Sequence, residues 1–197
     1  MTENRLDQDF WNNRYVNNQT GWDLGTVSPP IKHYIDQIKD KSLRILIPGA
    51  GNAYELSYLI DKGFENVTII DIAPKLIDRL NEKHKDDQAQ IIHGDFFVHD
   101  GKYDLIIEQT FFCAIDPSLR KEYAKKMRSL LSNKGKLCGV LFDREFQGGP
   151  PFGGSSKEYQ ELFEKDFKIT TLQKCDKSHP ARAGKEVWVE LTHYNHI

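Results

Sequence analysis

Residues 44–55, RILIPGAGNAYE, narrow the possible folds more than any other stretch of the chain. A buried strand that leads through Gly49-Ala50-Gly51 into a helix is typical of the first unit of nucleotide-binding parallel sheets. Apolar strands and amphipathic helices then alternate along the chain. Because parallel strands need helical crossovers, this alternation predicts a parallel sheet covered by helices on both faces.

The last two predicted strands break the alternation. The connection between them, KSHPARAG over residues 177–184, contains no helix, so we predict an antiparallel hairpin. An ordinary dinucleotide fold would instead continue to a sixth parallel strand. The predicted strands cover residues 43–48, 66–72, 89–95, 103–109, 136–143, 167–176 and 185–194. One predicted helix follows Pro29 and Pro30, and the others cover residues 53–63, 74–85, 117–135 and 156–165.

We therefore predict an α/β, Rossmann-like fold with a mostly parallel seven-stranded sheet and a C-terminal antiparallel hairpin. A length of 197 residues fits one domain over residues 1–197. The net charge of -2 gives no reason to expect nucleic acid or an anionic membrane as a partner. Three widely spaced cysteines, a polar N-terminus and the lack of a long apolar run indicate a cytoplasmic protein with reduced thiols.

The ligand on the glycine turn is only partly specified by the residues. No P-loop motif is present, and Tyr54 stands where a dinucleotide fingerprint has its third glycine. Asp71, 20 residues after Gly51, ends a predicted strand where a carboxylate can accept both ribose hydroxyls. In GDFF (94–97), an acid beside an aromatic ring suits adenine. These residues predict an adenosine compound; the alternatives are a turn without a ligand and an Asp71 that only caps a helix.

Six motifs then resemble one known family. They are GWDLG (21–25), PGAG (48–51), GDFF (94–97), EQTFFCAI (108–115), GGPPFG (148–153) and RAGKE (182–186). In order and spacing, over about residues 10–190, the chain resembles the thiopurine S-methyltransferase family, most closely its branch of halide and thiol methyltransferases. The resemblance implies a class I methyltransferase fold, S-adenosylmethionine as cofactor, and a small thiol, hydrosulfide or halide-type acceptor.

The resemblance also implies roles for individual residues. Residues 1–28, which carry several large rings, would form an aromatic lid over the cofactor. Gln109 would lie beside the methyl donor, where plant halide enzymes tend to carry tyrosine, and Arg120 matches an arginine that reaches the active site. Phe112 and Phe152 would line the acceptor pocket beside the GGPPFGG loop. The implied cofactor-binding residues are Trp11, Tyr15, Trp22, Gly49, Gly51, Asp71, Asp95, Phe96 and Gln109.

The expected chemistry needs neither a metal nor a strong base. The seven histidines show no metal-binding spacing, and a thiol with a pKa near ~8.5 is already partly ionised at neutral pH. Glu108 is either a base at the mouth of the fourth strand or a partner for the N-terminal arm or for Arg120. Arg182 and Lys185 either attract an anionic acceptor or form a solvated face.

Two functions remain open from the sequence. The first is a small-molecule methyltransferase, expected to be a monomer or weak dimer that binds neither nucleic acid nor membrane. The alternative is a catalytically silent module that binds S-adenosylmethionine or a nucleotide.

Overall fold

The computed structural model describes residues 6–194 as seven strands in one sheet with helices on both faces. The strands are β1 Ile45–Pro48, β2 Val67–Asp71, β3 Gln90–His93, β4 Tyr103–Gln109, β5 Leu131–Phe142, β6 Lys168–Lys174 and β7 Glu186–Thr192. The α-helices are α1 Gln8–Val16, α2 Pro29–Gln37, α3 Tyr54–Asp61, α4 Pro74–Lys83, α5 Arg120–Leu130 and α6 Ser156–Phe163. Short 3-10 turns cover Pro117–Leu119 and Pro180–Arg182.

The strand order is β3-β2-β1-β4-β5-β7-β6. The first five strands pair in parallel, and β7 lies antiparallel between β5 and β6. The predicted mostly parallel sheet with a C-terminal hairpin is therefore confirmed. The strand order reverses between β1 and β4, and in open α/β sheets such a switch point opens a crevice at the carboxyl ends of the strands.

Two apolar cores cover the two faces of the sheet. Ile45 and Ile47 of β1 belong to the core with α2, α3 and α4, whereas Leu46 belongs to the core with α5 and α6. This split follows from the alternation of side chains along a strand. Because both faces are covered, all four residues of β1 are buried, as the continuous apolar run predicted.

The predicted helix over 117–135 is wrong at both ends. It begins with the 3-10 turn Pro117–Leu119 and ends at Leu130, after which Leu131 turns to an extended conformation. Leu131 pairs with Tyr103, and the ladder resumes only at Lys136 opposite Leu105. Gly135 lies within this bulge, where an added Cβ would stand 2.7 Å from the Tyr103 carbonyl oxygen. Gly135 therefore allows β4 and β5 to approach closely, and it does not mark the end of a helix.

The helices of residues 6–194 include none that combines the length and apolar character needed to cross a bilayer.

Candidate functional site

A cavity of about 1410 Å³ opens at the carboxyl ends of β1, β2 and β4. Its walls come from the glycine turn, the N-terminal arm (residues 6–28), the turn after β4, the chain after β5 and the connection between β6 and β7. Single-ligand pockets enclose roughly 300–1,000 Å³, so this cavity has room for more than one small molecule. All nine predicted cofactor-binding residues line it.

The glycine turn needs its glycines for two different reasons. Gly49 and Gly51 both have a positive φ, +65° and +54°, which costs other residues backbone strain. A Cβ on Gly49 would in addition stand 2.5 Å from the ring of Phe111, whereas nothing lies within 4 Å of a Cβ on Gly51. The turn after β4 therefore packs directly on the first glycine.

Asp71 ends β2 at the base of the cavity and is 9% exposed. Its Oδ1 accepts a hydrogen bond of 2.9 Å from the backbone amide of Ala73. Burial raises the pKa of this carboxyl to about 6, against the opposing effect of nearby backbone amides. A carboxylate that is ionised near neutral pH and faces a cavity suits a ligand with hydroxyl donors.

The predicted adenine-binding pair lies beyond the end of β3, which is shorter than predicted. Asp95 is exposed, and its Oδ1 accepts a 2.8 Å hydrogen bond from the Phe97 amide. The ring of Phe96 is buried and meets the ring of Phe111 edge to face, with 5.0 Å between centroids. Asp95 and Phe96 thus reach the same cavity as the glycine turn.

The N-terminal arm packs its aromatic rings over the cavity. Trp22 meets Trp11 and Tyr15 edge to face, at centroid distances of 5.7 and 5.8 Å. Helix α1 begins after Asp7, whose side chain accepts the amide of Phe10. The Asn12 side chain accepts the Lys75 amide at 2.9 Å and thereby joins α1 to the start of α4.

The arm is also tied to the glycine turn through Asp23. The carboxylate of Asp23 accepts hydrogen bonds from the Tyr54 hydroxyl, at 3.3 Å, and from the Asn52 side-chain amide. The Ser28 amide donates to Glu55 at 3.0 Å, so α3 holds the far end of the arm. Tyr54, the residue that departs from the dinucleotide pattern, therefore anchors the arm.

The turn after β4 is built on Glu108. Its fully buried carboxylate accepts the amides of Phe111 and Phe112 at 2.8 and 2.9 Å and the Tyr123 hydroxyl at 2.6 Å. Burial raises the pKa of Glu108 to about 7. Both sequence interpretations of Glu108 are therefore wrong, because its partners are neither the arm nor Arg120 and its carboxylate faces the core.

Gln109 lies on the opposite face of β4 from Glu108 and lines the cavity. Within the described residues its Oε1 is buried and has no hydrogen-bond partner. Thr110 follows with a φ of +62°, a strained conformation for a β-branched residue. A buried oxygen without a protein partner can accept a hydrogen bond from a ligand or a water molecule in the cavity.

Three residues predicted at the acceptor end do not line the cavity. Arg120 is buried and donates to the Gly153 carbonyl at 2.7 Å and to Glu158, with its guanidinium 4.7 Å from the ring of Phe112. Phe112 is 1% exposed in the core. The Phe152 amide donates to the Cys113 carbonyl at 2.7 Å, which fixes the loop rather than the cavity wall. Phe111, Pro150 and Pro151 line the cavity in their place.

The wall of the cavity formed by the chain after β5 and by the β6–β7 connection, here called the far wall, contains four polar residues whose position in the cavity the sequence hardly indicates. Arg144 follows β5, and His179, Arg182 and Lys185 belong to the β6–β7 connection. Arg182 is 7% exposed and donates to the Trp22 carbonyl at 2.7 Å, so it is not on a solvated face. The motif RAGKE was a signal for Arg182 and Lys185, but their contact with the cavity depends on β7 pairing beside β5.

The cavity offers hydrogen-bonding and aromatic groups rather than metal ligands. Among residues 6–194, no cluster of three or more His, Cys, Asp or Glu side chains could hold a metal ion. Its volume, the close-packed glycine turn, the Asp71 carboxylate and the Gln109 Oε1 fit a large polar organic cofactor.

Comparison with known proteins identifies relatives along nearly the whole chain. The family model for Thiopurine S-methyltransferase (TPMT) matches residues 6–195. The chain is 31% identical over 169 residues to probable thiol methyltransferase 2 of Arabidopsis thaliana, covering 82% of this chain and 74% of that protein. It is 28% identical over 200 residues to a thiopurine S-methyltransferase of Vibrio campbellii, covering 91% of this chain and 92% of the relative.

A solved structure shares the fold at low sequence identity. It is the 1,6-didemethyltoxoflavin-N1-methyltransferase of Burkholderia thailandensis, determined with 1,6-didemethyltoxoflavin and S-adenosylhomocysteine bound. It has a TM-score of 0.75 and 15% identity, covering 95% of this chain and 87% of that chain. The likeness confirms the predicted Rossmann-like class I fold of S-adenosylmethionine-dependent methyltransferases.

Proposed function

The chain belongs to the thiopurine S-methyltransferase family, and we propose that it methylates a small thiol, hydrosulfide or halide-type acceptor. It is an S-adenosylmethionine-dependent methyltransferase that acts on a small molecule. One observation supports the finer assignment most strongly. The glycine turn, Asp71, the aromatic arm and the unpartnered Oε1 of Gln109 meet in one cavity that also has apolar walls toward Phe111 and Pro150.

We assign the cofactor to the half of the cavity above β1, β2 and β3. There Asp71 would accept the ribose hydroxyls, and Asp95 with Phe96 would hold the adenine. Gly49 and Gly51 would let the backbone approach the methionine moiety. Residues 6–28 would act as the lid, since aromatic faces attract a sulfonium through cation–π interaction, about 0.5–2 kcal/mol each.

S-adenosylmethionine supplies a methyl group that is already activated on a sulfonium. The protein therefore has to align the acceptor for in-line displacement and to exclude water. The arm covers the cavity through Trp11, Tyr15 and Trp22. Gln109, at the mouth of β4, faces the region between the cofactor half and the far wall. Its Oε1 would complete its hydrogen bonding when the site is filled.

Two carboxylates near Gln109 are poor candidates for a general base. Glu108 is enclosed by its three donors. Asp116 lines the cavity, but hydrogen bonds from Ser118 lower the pKa of its carboxyl, which makes it a weak base. Burial raises the pKa of Cys113 to about 12, which keeps it a neutral thiol. The acceptor would therefore arrive already ionised, as a thiolate, hydrosulfide or halide does.

We also propose that the protein works in the cytoplasm as a monomer or weak dimer. Cys113, Cys138 and Cys175 are buried free thiols, which suits a reducing compartment. Cell fractionation and sedimentation would test these two points.

Transfer of a labelled methyl group tests the proposed function. The protein is incubated with methyl-labelled S-adenosylmethionine and, in separate reactions, with hydrosulfide, an aromatic thiol and iodide. We expect label in the methylated acceptor, at least for one sulfur nucleophile, and only background in a reaction without acceptor. Binding of the cofactor without label in any acceptor would instead indicate a catalytically silent module.

A further inference from the structure

Charged side chains are unevenly distributed around the cavity. The acidic ones come from the arm, the glycine turn and the helix after it, the ends of β2 and β3, and the segment after β4: Asp7, Asp23, Glu55, Asp71, Asp95 and Asp116, with Arg14 of the arm as a cation among them. The far wall, from residue 117 to the last described residue, contributes no acidic side chain to the lining. It contributes Arg144, Arg182, Lys185 and His179.

The basic half lies at the ends of β5 and β7. The Asp143 amide donates to the Lys185 carbonyl at 2.8 Å, so the two chain segments run side by side just beyond the last ladder pair. Arg144 and Lys185 are both exposed toward the cavity. They therefore flank one opening on the acceptor side of the switch point.

The positive charge of Arg144 and Lys185 is not neutralised by the protein. Within the described residues neither forms an ion pair; Arg144 donates only to the Glu145 carbonyl, at 3.2 Å, and lies 4.5 Å from the ring centroid of Phe146. Arg182 differs from both, because its guanidinium contacts Glu186 at 3.5 Å and the Trp22 carbonyl.

The acids adjacent to Arg144 and Lys185 in sequence have other partners or lie outside the cavity lining. Asp143 accepts the Ser156 amide at 3.0 Å, and the carboxylate of Glu186 faces Arg182. Glu145 is exposed and does not line the cavity. Gln109 pairs with Val140 of β5, and Phe142 and then Arg144 follow further along the same segment. Phe142, Phe146, Pro150 and Pro151 form an apolar wall of the same cavity.

We propose that the acceptor carries a fixed negative charge apart from its nucleophilic sulfur, on an apolar body, and that Arg144 and Lys185 bind this charge. The inference rests on the proposed function. It follows because the apolar wall separates the cations from Gln109, so an acceptor that spans the wall places its sulfur and its anionic group at opposite ends. A hydrosulfide or halide ion is too small to reach from Gln109 to the two cations.

Methyl transfer to such an acceptor needs no further reactant. The acceptor thiol releases its proton to solvent, and its sulfur then forms a bond to the methyl carbon as the bond from that carbon to the cofactor sulfur breaks. The products are a methyl thioether with its anionic group unchanged and S-adenosylhomocysteine. The anionic group serves only in binding. Its removal from the acceptor should therefore raise KM and leave kcat unchanged.

A matched pair of acceptors tests the proposal. 4-Mercaptobenzoate and 4-mercaptobenzamide have the same body, but only the first carries a carboxylate. We expect KM to be at least tenfold lower for the carboxylate. The double variant Arg144→Gln with Lys185→Gln should remove that preference and leave KM for the amide within about twofold. Lys177→Gln, an exposed lysine of the same connection that does not line the cavity, should retain the preference.

Binding of the products provides a readout that does not depend on turnover. With S-adenosylhomocysteine present, 4-(methylthio)benzoate should bind at least tenfold more tightly than 4-(methylthio)benzamide by calorimetry, and the double variant should bind both equally. Equal KM and equal affinity for the charged and neutral members in the unaltered protein would overturn this inference alone. Methylation of no thiol, hydrosulfide or halide would overturn the proposed function as well.

Discussion

The Arg182 guanidinium donates a 2.7 Å hydrogen bond to the carbonyl oxygen of Trp22, which joins the β6–β7 connection to the N-terminal arm. The arm and this connection are far apart in sequence and both line the cavity, so the contact joins two of its walls. Arg182→Lys keeps the positive charge near Glu186 but loses the fork that reaches both partners. We expect the affinity for S-adenosylhomocysteine to fall about tenfold, since a hydrogen bond from a charged group contributes about 1.5–3 kcal/mol.

Isothermal calorimetry would measure that loss. Lys177→Gln is the control from the same connection and should bind S-adenosylhomocysteine as the unaltered protein does. An Arg182→Lys variant with unchanged affinity would mean that the arm closes without this contact.

The two glycines of the turn should respond differently to alanine. Gly51→Ala introduces only the strain of a positive φ, about 1–2 kcal/mol. Gly49→Ala adds a clash with the Phe111 ring at 2.5 Å, so its free energy of unfolding should fall further than that of Gly51→Ala. Urea unfolding of the pair would show the difference. Equal losses would indicate that Phe111 moves aside at no cost.

Glu108 should make the stability of the protein depend on pH. Burial raises its pKa in the folded protein to about 7, above the ordinary value of 4.5 for an unfolded chain. The folded state therefore binds the proton more tightly, and the free energy of unfolding falls as pH rises from about 4.5 to 7. Above that range both states are ionised and the effect is constant.

Glu108→Gln removes this titration while its amide oxygen can still accept the Phe111 and Phe112 amides. The stability of the unaltered protein relative to the variant should fall by about 3 kcal/mol between pH 4.5 and 7, at 1.36 kcal/mol per pKa unit. Urea unfolding of both proteins over this pH range would measure the difference. A difference that does not change with pH would place the Glu108 pKa near its ordinary value.

The pH dependence of the rate should belong to the acceptor. With a thiol, kcat/KM should rise with pH along the ionisation of that thiol, because Glu108 is enclosed by its donors and Asp116 is a weak base. Two thiols of different pKa should give two displaced profiles, and iodide, if it is turned over, a flat one. A common rising limb for every acceptor would instead show that a protein group controls the step.

The cofactor half of the site could be predicted from the sequence because it is local. Gly49, Gly51 and Asp71 follow directly from where apolar strands end, and the carboxyl ends of parallel strands meet at one edge of the sheet. The side chains of Glu108 and Gln109 are adjacent in sequence but point to opposite faces of β4. The apolar pattern around them does not indicate which one faces the cavity, and the amides that hold Glu108 come from a strained turn at Thr110.

The acceptor half depends on contacts between distant segments. Arg182 and Lys185 reach the cavity because β7 inserts between β5 and β6, an order that hairpin spacing does not specify. The resemblance implies a role for Arg120 at the site, yet its guanidinium donates to the Gly153 carbonyl and to Glu158. The sequence predicts too long a helix over 117–135 because a glycine after an amphipathic run indicates a helix end, whereas Gly135 permits a bulge against Tyr103.

A crystal structure of the protein with S-adenosylhomocysteine would show whether this cavity is the methyl-transfer site. The ribose hydroxyls should contact Asp71, the adenine should lie by Asp95 and Phe96, and the sulfur should face Gln109 beneath Trp11, Tyr15 and Trp22. The open space beyond the sulfur should lead along the apolar wall to Arg144 and Lys185. A cofactor bound outside this cavity, or one whose sulfur faces away from Gln109 and the far wall, would contradict the assignment.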